Sequence, residues 1–109
     1  LATMSAYFFV PPTEYDEKGK SKHFGEGSRE LCRQVREMLA SIEDFRTPVI
    51  EKEFYALAER IGHKVGDLVG APRLAVSGVT AGPGLWELFE VVGKDEVLRR
   101  IDVALPLMG

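Results

Sequence analysis

The chain contains the run VSGVTAGPGLWELF at residues 76–89, and the run GKDEVLRRI follows at residues 93–101. The first run predicts a glycine-rich loop that opens an amphipathic helix, and Gly93 separates this helix from a last one. Across residues 68–86 there is no acidic side chain, and Arg73 is the one fixed charge. An acid-free loop at a helix start presents backbone N–H groups and the positive end of a helix dipole. Such a surface suits phosphate or unpaired bases, although glycine-proline loops before helices are common.

Two helices are predicted between residues 28 and 62. Ser28 is expected to cap the first helix. Thr47 and Pro48 are expected to form the N-cap and first position of the second, which ends at Gly62. In each helix the apolar side chains share one face. These positions are Leu31, Val35, Met38, Leu39 and Ile42 in the first helix, and Ile50, Phe54, Leu57, Ala58 and Ile61 in the second.

The remaining segments are less regular. Residues 13–27 are rich in charge, glycine and lysine and are predicted to form a loop or linker. A short helix is predicted over residues 64–69, whereas residues 72–78 fit either a strand or a helical turn. Two more helices are predicted after Gly82-Pro83. Their inward positions are Leu85, Leu88, Phe89 and Val92, and then Val97, Leu98 and Ile101. The sequence therefore predicts an all-α fold, a small bundle of about five or six short helices.

Composition limits the class of protein. With 109 residues, of which 45% are hydrophobic and 28% charged, the chain is expected to form one soluble domain with its own core. A net charge of −3 argues against bulk electrostatic attraction to nucleic acid, so any RNA binding has to be local. A single cysteine, Cys32, excludes an internal disulfide and suits a reducing cytoplasm. No apolar run approaches the roughly 20 residues that span a bilayer.

The first residues resemble the end of a helix. Leu1, Met4 and Phe8 lie at helical spacing, and Pro11-Pro12 would stop that helix. This pattern predicts that the chain is a piece of a longer protein, whose helix begins further upstream.

The chain offers no catalytic or metal site. Gly19-Lys20-Ser21 looks like the end of a phosphate-binding loop, but Glu14 stands where that motif needs its first glycine, so a solvated loop is the better interpretation. His23 and His63 are the only histidines, and neither lies at ligand spacing from Cys32. Cys32 follows an apolar position on a predicted helix and is interpreted as an ordinary helical cysteine.

Three pieces of sequence, in order, point to one family. Residues 73–78 read RLAVSG, residues 83–87 read PGLWE and residues 92–101 read VGKDEVLRRI. Together they resemble the carboxy-terminal end of bacterial glutamyl-tRNA synthetase, a class I aminoacyl-tRNA synthetase. Further pieces that fit the same family are residues 8–9, 14–18, 22–24 and 57–64, so the resemblance extends along nearly the whole chain.

The resemblance implies the anticodon-binding part of that enzyme, and it favours helix over strand at residues 72–78. Residues 1–24 would be the end of a preceding helical subdomain plus a linker, and residues 25–109 the carboxy-terminal anticodon-binding subdomain. The parent enzyme ligates glutamate to tRNA(Glu) with ATP and magnesium, in an amino-terminal catalytic domain. The implied partners of this chain are the tRNA(Glu) anticodon loop and that catalytic domain, with no membrane. No catalytic residue, cofactor or metal is expected within the chain itself.

The resemblance also implies where the anticodon is read. The candidate tRNA-binding residues are Arg73, Ser77, Gly82, Pro83, Gly84, Leu85 and Trp86. One guanidinium combined with backbone groups and apolar packing is a usual way to read unpaired RNA loops. Two departures from the family pattern bear on base selectivity. The usual Pro-Leu before the arginine is Ala71-Pro72 here, and Gly82 stands where the family often has threonine or another side chain.

Several of these side chains have a second interpretation. Trp86 lies off the apolar face of its helix, where it could stack on a base, worth roughly 1–3 kcal/mol, or pack against a short helix or a neighbouring domain. Arg73 is either a surface arginine or a cation aimed at the anticodon loop, and the resemblance favours the second. Arg99 and Arg100 lie off the inward face of the last helix, where exposure to solvent and contact with phosphate are both open.

Two other functions remain open from the sequence. The chain could be a free-standing RNA-binding module derived from the synthetase. It could instead be a helical protein-interaction module, which the net charge of −3 favours.

Overall fold

The computed structural model describes Tyr15, residues 17–78 and residues 84–109. These residues form six α-helices, which confirms the all-α prediction. The helices are α1 (Glu17–His23), α2 (Ser28–Ser41), α3 (Thr47–Ile61), α4 (Val65–Ser77), α5 (Leu85–Val92) and α6 (Lys94–Ala104), and a 3-10 turn (Leu105–Leu107) follows α6. The expected helix around Leu1, Met4 and Phe8 lies outside the described residues.

The core lies where α2, α3, α4 and α6 meet, and α5 covers it between α3 and α6. Most of the apolar positions predicted from helical spacing are buried there. Those below a tenth exposed are Val35, Met38, Leu39, Ile42, Ile50, Phe54, Leu57, Ala58, Leu85, Leu88, Phe89, Val97 and Ile101. Four others are only partly buried at its edge: Leu31, Ile61, Val92 and Leu98. The helical period therefore identified much of the core, but not the part that α4 contributes.

The predicted loop or linker over residues 13–27 is wrong where it includes α1. Glycine weakens a helix, and this segment has no apolar stripe that would indicate one. Packing against the bundle supplies the stability instead. The ring of His23 lies where a side chain at Gly70 of α4 would stand, and Phe24 is buried in the core. Gly19-Lys20-Ser21, which resembled the end of a phosphate-binding loop, therefore lies on a helix.

The helix starts differ from the prediction by one residue. Ser28 is the first residue of α2 and not its cap, and its hydroxyl donates to the carbonyl of Gly25 at 2.7 Å. Thr47 is likewise the first residue of α3, and its N–H donates to the Glu90 carboxylate of α5. At its other end, α3 stops as predicted at Gly62, which has a left-handed φ of 75°.

Cys32 is 1% exposed in the middle of α2, and burial raises the pKa of its thiol to about 12. We expect native protein to react with a thiol reagent at least about a hundred-fold more slowly than unfolded protein, because the buried thiol has to wait for the structure to open. The measurement is the rate of colour release by a disulfide reagent with and without urea. Equal rates in the two conditions would show that Cys32 is accessible in the folded state.

Candidate nucleic-acid interface

One continuous helix carries the first part of the candidate site. The sequence pattern predicted a short helix over residues 64–69 and left residues 72–78 between strand and helical turn, while the family resemblance favoured helix there. Helix α4 covers both segments, as the resemblance predicted. Pro72 lies inside it and cannot donate a backbone hydrogen bond. Burial compensates for that loss, because one side of α4 is packed into the core. Its buried residues are Leu68, Ala71, Pro72, Leu74, Ala75 and Val76.

Helix α4 ends at Gly78, which has a φ of 80°. A left-handed conformation of this kind favours glycine, and the Gly78 N–H closes the helix on the carbonyl of Leu74 at 2.8 Å. The described chain resumes at Gly84, directly before α5. We call residues 73–78 and 84–87 the loop flanks, since they enclose residues 79–83, the predicted loop at which the anticodon is read. We call residues 79–83 the predicted reading loop. Two of its candidate residues, Gly82 and Pro83, lie outside the described residues.

On the α4 flank, the structure brings Arg73 and Ser77 together. They lie one helical turn apart, on the same face, and both are half-buried. The Ser77 hydroxyl donates to the carbonyl of Arg73 at 2.8 Å. This flank therefore carries a guanidinium and a hydroxyl on a helix and not on a loop.

On the α5 flank, the two large candidate side chains belong mainly to the bundle. Leu85 is 4% exposed in the core. Trp86 is half-buried, and its ring packs against Phe54 of α3, with 4.8 Å between ring centroids and 50° between planes. Its partner is thus the long helix α3, and not a short helix as one interpretation of the sequence expected. Any contact of Trp86 with a base has to use the part of the ring that remains exposed.

The start of α5 is less electropositive than an acid-free loop suggests. The Glu87 carboxylate folds back over exposed Gly84, to the place that a Cβ at Gly84 would occupy. A carboxylate at this position interacts favourably with the positive end of the helix dipole. It therefore competes with phosphate there. This flank is better suited to backbone and base contacts than to holding a phosphate.

Arg100 is buried, with 2% of its surface exposed. Both interpretations of its sequence position, exposure to solvent and contact with phosphate, had placed it on the surface. Its Nη1 donates to the carbonyl of Val76 on α4 at 3.0 Å, and its Nε donates to Oε2 of Glu96 at 2.8 Å. Arg99 is exposed and pairs with the same Glu96 carboxylate. The spacing of Glu96 and Arg100, one turn apart, is a signal for such a pair that the sequence analysis missed.

These hydrogen bonds from Arg99 and Arg100 lower the pKa of Glu96 from 4.5 to about 2. A folded-state pKa below the unfolded value stabilises the fold above pH 4.5, and this contribution is lost as the pH falls towards 2. When the pH is lowered from about 7 to about 3, we expect the free energy of unfolding to fall less in Glu96→Gln than in the unchanged chain. Urea titrations at each pH measure this difference. Glu51→Gln, on the exposed face of α3, is the control. The same acid sensitivity in Glu96→Gln and the unchanged chain would contradict this role.

A large groove of the described structure lies elsewhere. It has a volume of about 820 Å³ between α1, α2 and α4, and neither Arg73 nor Trp86 lines it. Its lining mixes Lys22, His23 and His63 with acidic side chains that include Glu30 and Asp67, so it favours no one sign of charge. No group of three or more His, Cys, Asp or Glu in the described residues could hold a metal ion. Nor does any helix in that part of the chain have the length and apolar character to cross a membrane.

Comparison with known proteins agrees with this helical arrangement. The family model described as anticodon binding domain matches residues 1–105. The glutamate–tRNA ligase of Moorella thermoacetica is 42% identical over 105 residues, which are 95% of this chain and 21% of that protein. The glutamate–tRNA ligase of Chloroherpeton thalassium is 40% identical over 105 residues, with 96% of this chain and 21% of that protein covered.

Solved structures show the same fold. The crystal structure of a glutamate tRNA ligase from Elizabethkingia meningosepticum, in complex with its amino acid, matches with a TM-score of 0.90 and 30% identity. The match covers 96% of this chain and 21% of that one. The glutamate-tRNA synthetase of Elizabethkingia anophelis matches with a TM-score of 0.81 and 29% identity, over 92% of this chain and 19% of that one.

The chain thus spans about a fifth of the length of the curated relatives it matches. The resemblance drawn from residues 73–101 is confirmed, because matches of both sequence and fold run along nearly the whole chain and point to one kind of protein. On this evidence the chain belongs to the anticodon binding domain family, and its relatives are glutamate–tRNA ligases.

Proposed function

We propose that this chain reads the anticodon loop of tRNA(Glu), as the carboxy-terminal domain of a glutamate–tRNA ligase. The family match over residues 1–105 is the observation that carries the proposal, and the names of the relatives supply the amino acid. In this proposal residues 25–109 are the anticodon-binding subdomain, and residues 1–24 end the subdomain before it. The whole enzyme would use ATP and magnesium to ligate glutamate to its tRNA.

The loop flanks support a local mode of recognition. With a net charge of −3, the chain has no general attraction for RNA, so binding depends on a few placed groups. Arg73 and Ser77 share a face at the end of α4, and Gly84 is exposed at the start of α5. A guanidinium, a hydroxyl and open backbone suit splayed bases better than a regular phosphate backbone.

The candidate residues then have separate roles. Arg73 supplies a charged donor to a base edge or a phosphate, and Ser77 a hydroxyl beside it. Backbone groups of Gly82, Pro83 and Gly84 approach the bases closely, while Leu85 and Trp86 hold the second flank on the bundle. The second partner is the amino-terminal catalytic domain of the same protein, and the site of action is the cytoplasm.

The test is a titration of the chain with two RNAs, the anticodon stem-loop of tRNA(Glu) and the same stem-loop with a scrambled anticodon. Trp86, the single tryptophan, reports binding by fluorescence, and NMR shifts locate it. We expect selective binding, with changes centred on residues 73–86. Equal affinity for the two RNAs would contradict anticodon reading. Binding of neither would contradict RNA recognition by this chain and favour a protein-interaction module.

A further inference from the structure

Arg100 connects two helices from inside the protein. Among the described residues, it is the one charged side chain that is buried, with 2% of its surface exposed. Burying a guanidinium is costly unless it is paired and its N–H groups find acceptors. Arg100 meets this condition by bonding Glu96 on its own helix and the carbonyl of Val76 on α4.

The acceptor on α4, the carbonyl of Val76, lies at the end of that helix. Val76 is in the last turn of the helix, where carbonyls lack a donor from the helix itself. A cation at this end also interacts favourably with the negative end of the helix dipole. The next two residues are Ser77, which bonds the Arg73 carbonyl, and Gly78, where the chain turns away. The contact from Arg100 therefore holds the turn from which the predicted reading loop departs.

We propose that Arg100 is a positioning residue for anticodon recognition. This proposal rests on the function proposed above. By holding the carbonyl of Val76, Arg100 fixes the last turn of α4 and hence the direction of Arg73 on that helix. Arg100 does not itself touch RNA in this proposal. It acts through the backbone of α4. Replacing Arg100 is therefore expected to change the preference between RNAs, while the chain still folds.

The guanidinium has properties that a simple core side chain lacks. An apolar residue of similar size would pack in this position at lower desolvation cost. It could not donate to a carboxylate and a carbonyl at the same time, as the planar fork of arginine does. Lysine keeps the charge but is a point donor, so it can hold one of the two acceptors well and not both.

The experiment compares Arg100→Met and Arg100→Lys with two controls. Arg99→Met removes the other partner of Glu96 without a contact to Val76. Ile101→Val weakens the buried face of α6 at a residue that is 0% exposed. Each variant is shown to be folded by circular dichroism. Its affinities for the tRNA(Glu) anticodon stem-loop and for the scrambled stem-loop are then measured, together with amide hydrogen exchange at residues 74–78.

We expect the preference for the tRNA(Glu) stem-loop to fall about ten-fold in Arg100→Met and by a smaller factor in Arg100→Lys. Amide exchange at Ser77 and Gly78 should be faster in both variants. The two controls should keep the preference of the unchanged chain, even where Ile101→Val is less stable. A loss of preference in Ile101→Val equal to that in Arg100→Met would overturn the proposal, since lowered stability alone would then explain it.

The remaining outcomes separate the two proposals. If the unchanged chain prefers the tRNA(Glu) stem-loop and Arg100→Met keeps that preference, Arg100 is not a positioning residue, while anticodon recognition stands. If the unchanged chain shows no preference, the proposed function fails, and the role of Arg100 towards RNA fails with it. Unchanged amide exchange at Ser77 and Gly78 in both Arg100 variants would show that Arg100 does not hold this turn.

Discussion

Replacing Phe54 with alanine is expected to destabilise the fold by about 3–5 kcal/mol, the usual cost of deleting a buried phenyl ring. Phe54 is 0% exposed on α3, and its ring centroid lies 4.8 Å from that of Trp86 and 6.2 Å from that of Phe89, both on α5. The substitution therefore opens a cavity and removes the aromatic contacts that hold α5 on the bundle. A domain of this size is stable by about 5–15 kcal/mol, so much of that stability would be lost.

Urea unfolding followed by circular dichroism measures this effect, because Trp86 fluorescence would itself change with its neighbour. Tyr55→Ala is the matched control: it deletes an aromatic side chain at the next position of α3, where 52% of the residue is exposed. We expect this control to cost less than about 1 kcal/mol. Equal losses in the two variants would mean that the α3–α5 contact does not depend on the ring of Phe54.

Replacing Arg73 with alanine is expected to give the largest effect on RNA binding. If Arg73 reads a base, affinity for the tRNA(Glu) stem-loop falls by about 1–3 kcal/mol and selectivity relaxes, with the salt dependence unchanged. If it contacts a phosphate, affinity falls for both stem-loops and the slope of binding against salt decreases by about one unit. Titrations at several salt concentrations, with the tRNA(Glu) and scrambled stem-loops, distinguish the two.

Arg60→Ala is the control, since it removes an exposed arginine from the end of α3 and lowers the net charge by the same amount. Binding should then remain selective for the tRNA(Glu) stem-loop. An unchanged affinity in Arg73→Ala would exclude Arg73 from the interface. Equal losses in Arg73→Ala and Arg60→Ala would mean that charge alone, and not placement at the loop flank, governs binding.

Local sequence determined most of the helices and much of the core. The apolar period along α2, α3, α5 and α6 predicted which side chains are buried, because a helix has to place its apolar stripe against its neighbours. Glycines then set boundaries wherever the backbone needs a left-handed turn, as at Gly62 and Gly78. The family, too, followed from local sequence, through the order and spacing of the pieces within residues 73–101.

Where local preference was weak, tertiary structure decided the outcome. Residues 17–23 become a helix because they pack against α4 at Gly70, although their own pattern indicates a loop. Helix α4 continues through Pro72 because its apolar side is buried, which outweighs the missing hydrogen bond. In both segments the deciding contact comes from residues far away in the chain, which periodicity does not register.

Polar contacts across the bundle were likewise visible only in the fold. The start of α3 is satisfied by Glu90 of α5 and not by a local cap, and the end of α4 is held by Arg100 of α6. Arg73, Ser77, Gly84, Leu85 and Trp86 were named from the family resemblance, but the fold decided their exposure and partners, such as Phe54 for Trp86. The sequence by itself determined most of the helices, their apolar faces and the family. Only the tertiary structure decided which charged side chains are buried and which helix ends they hold, because those bonds join residues distant in the chain.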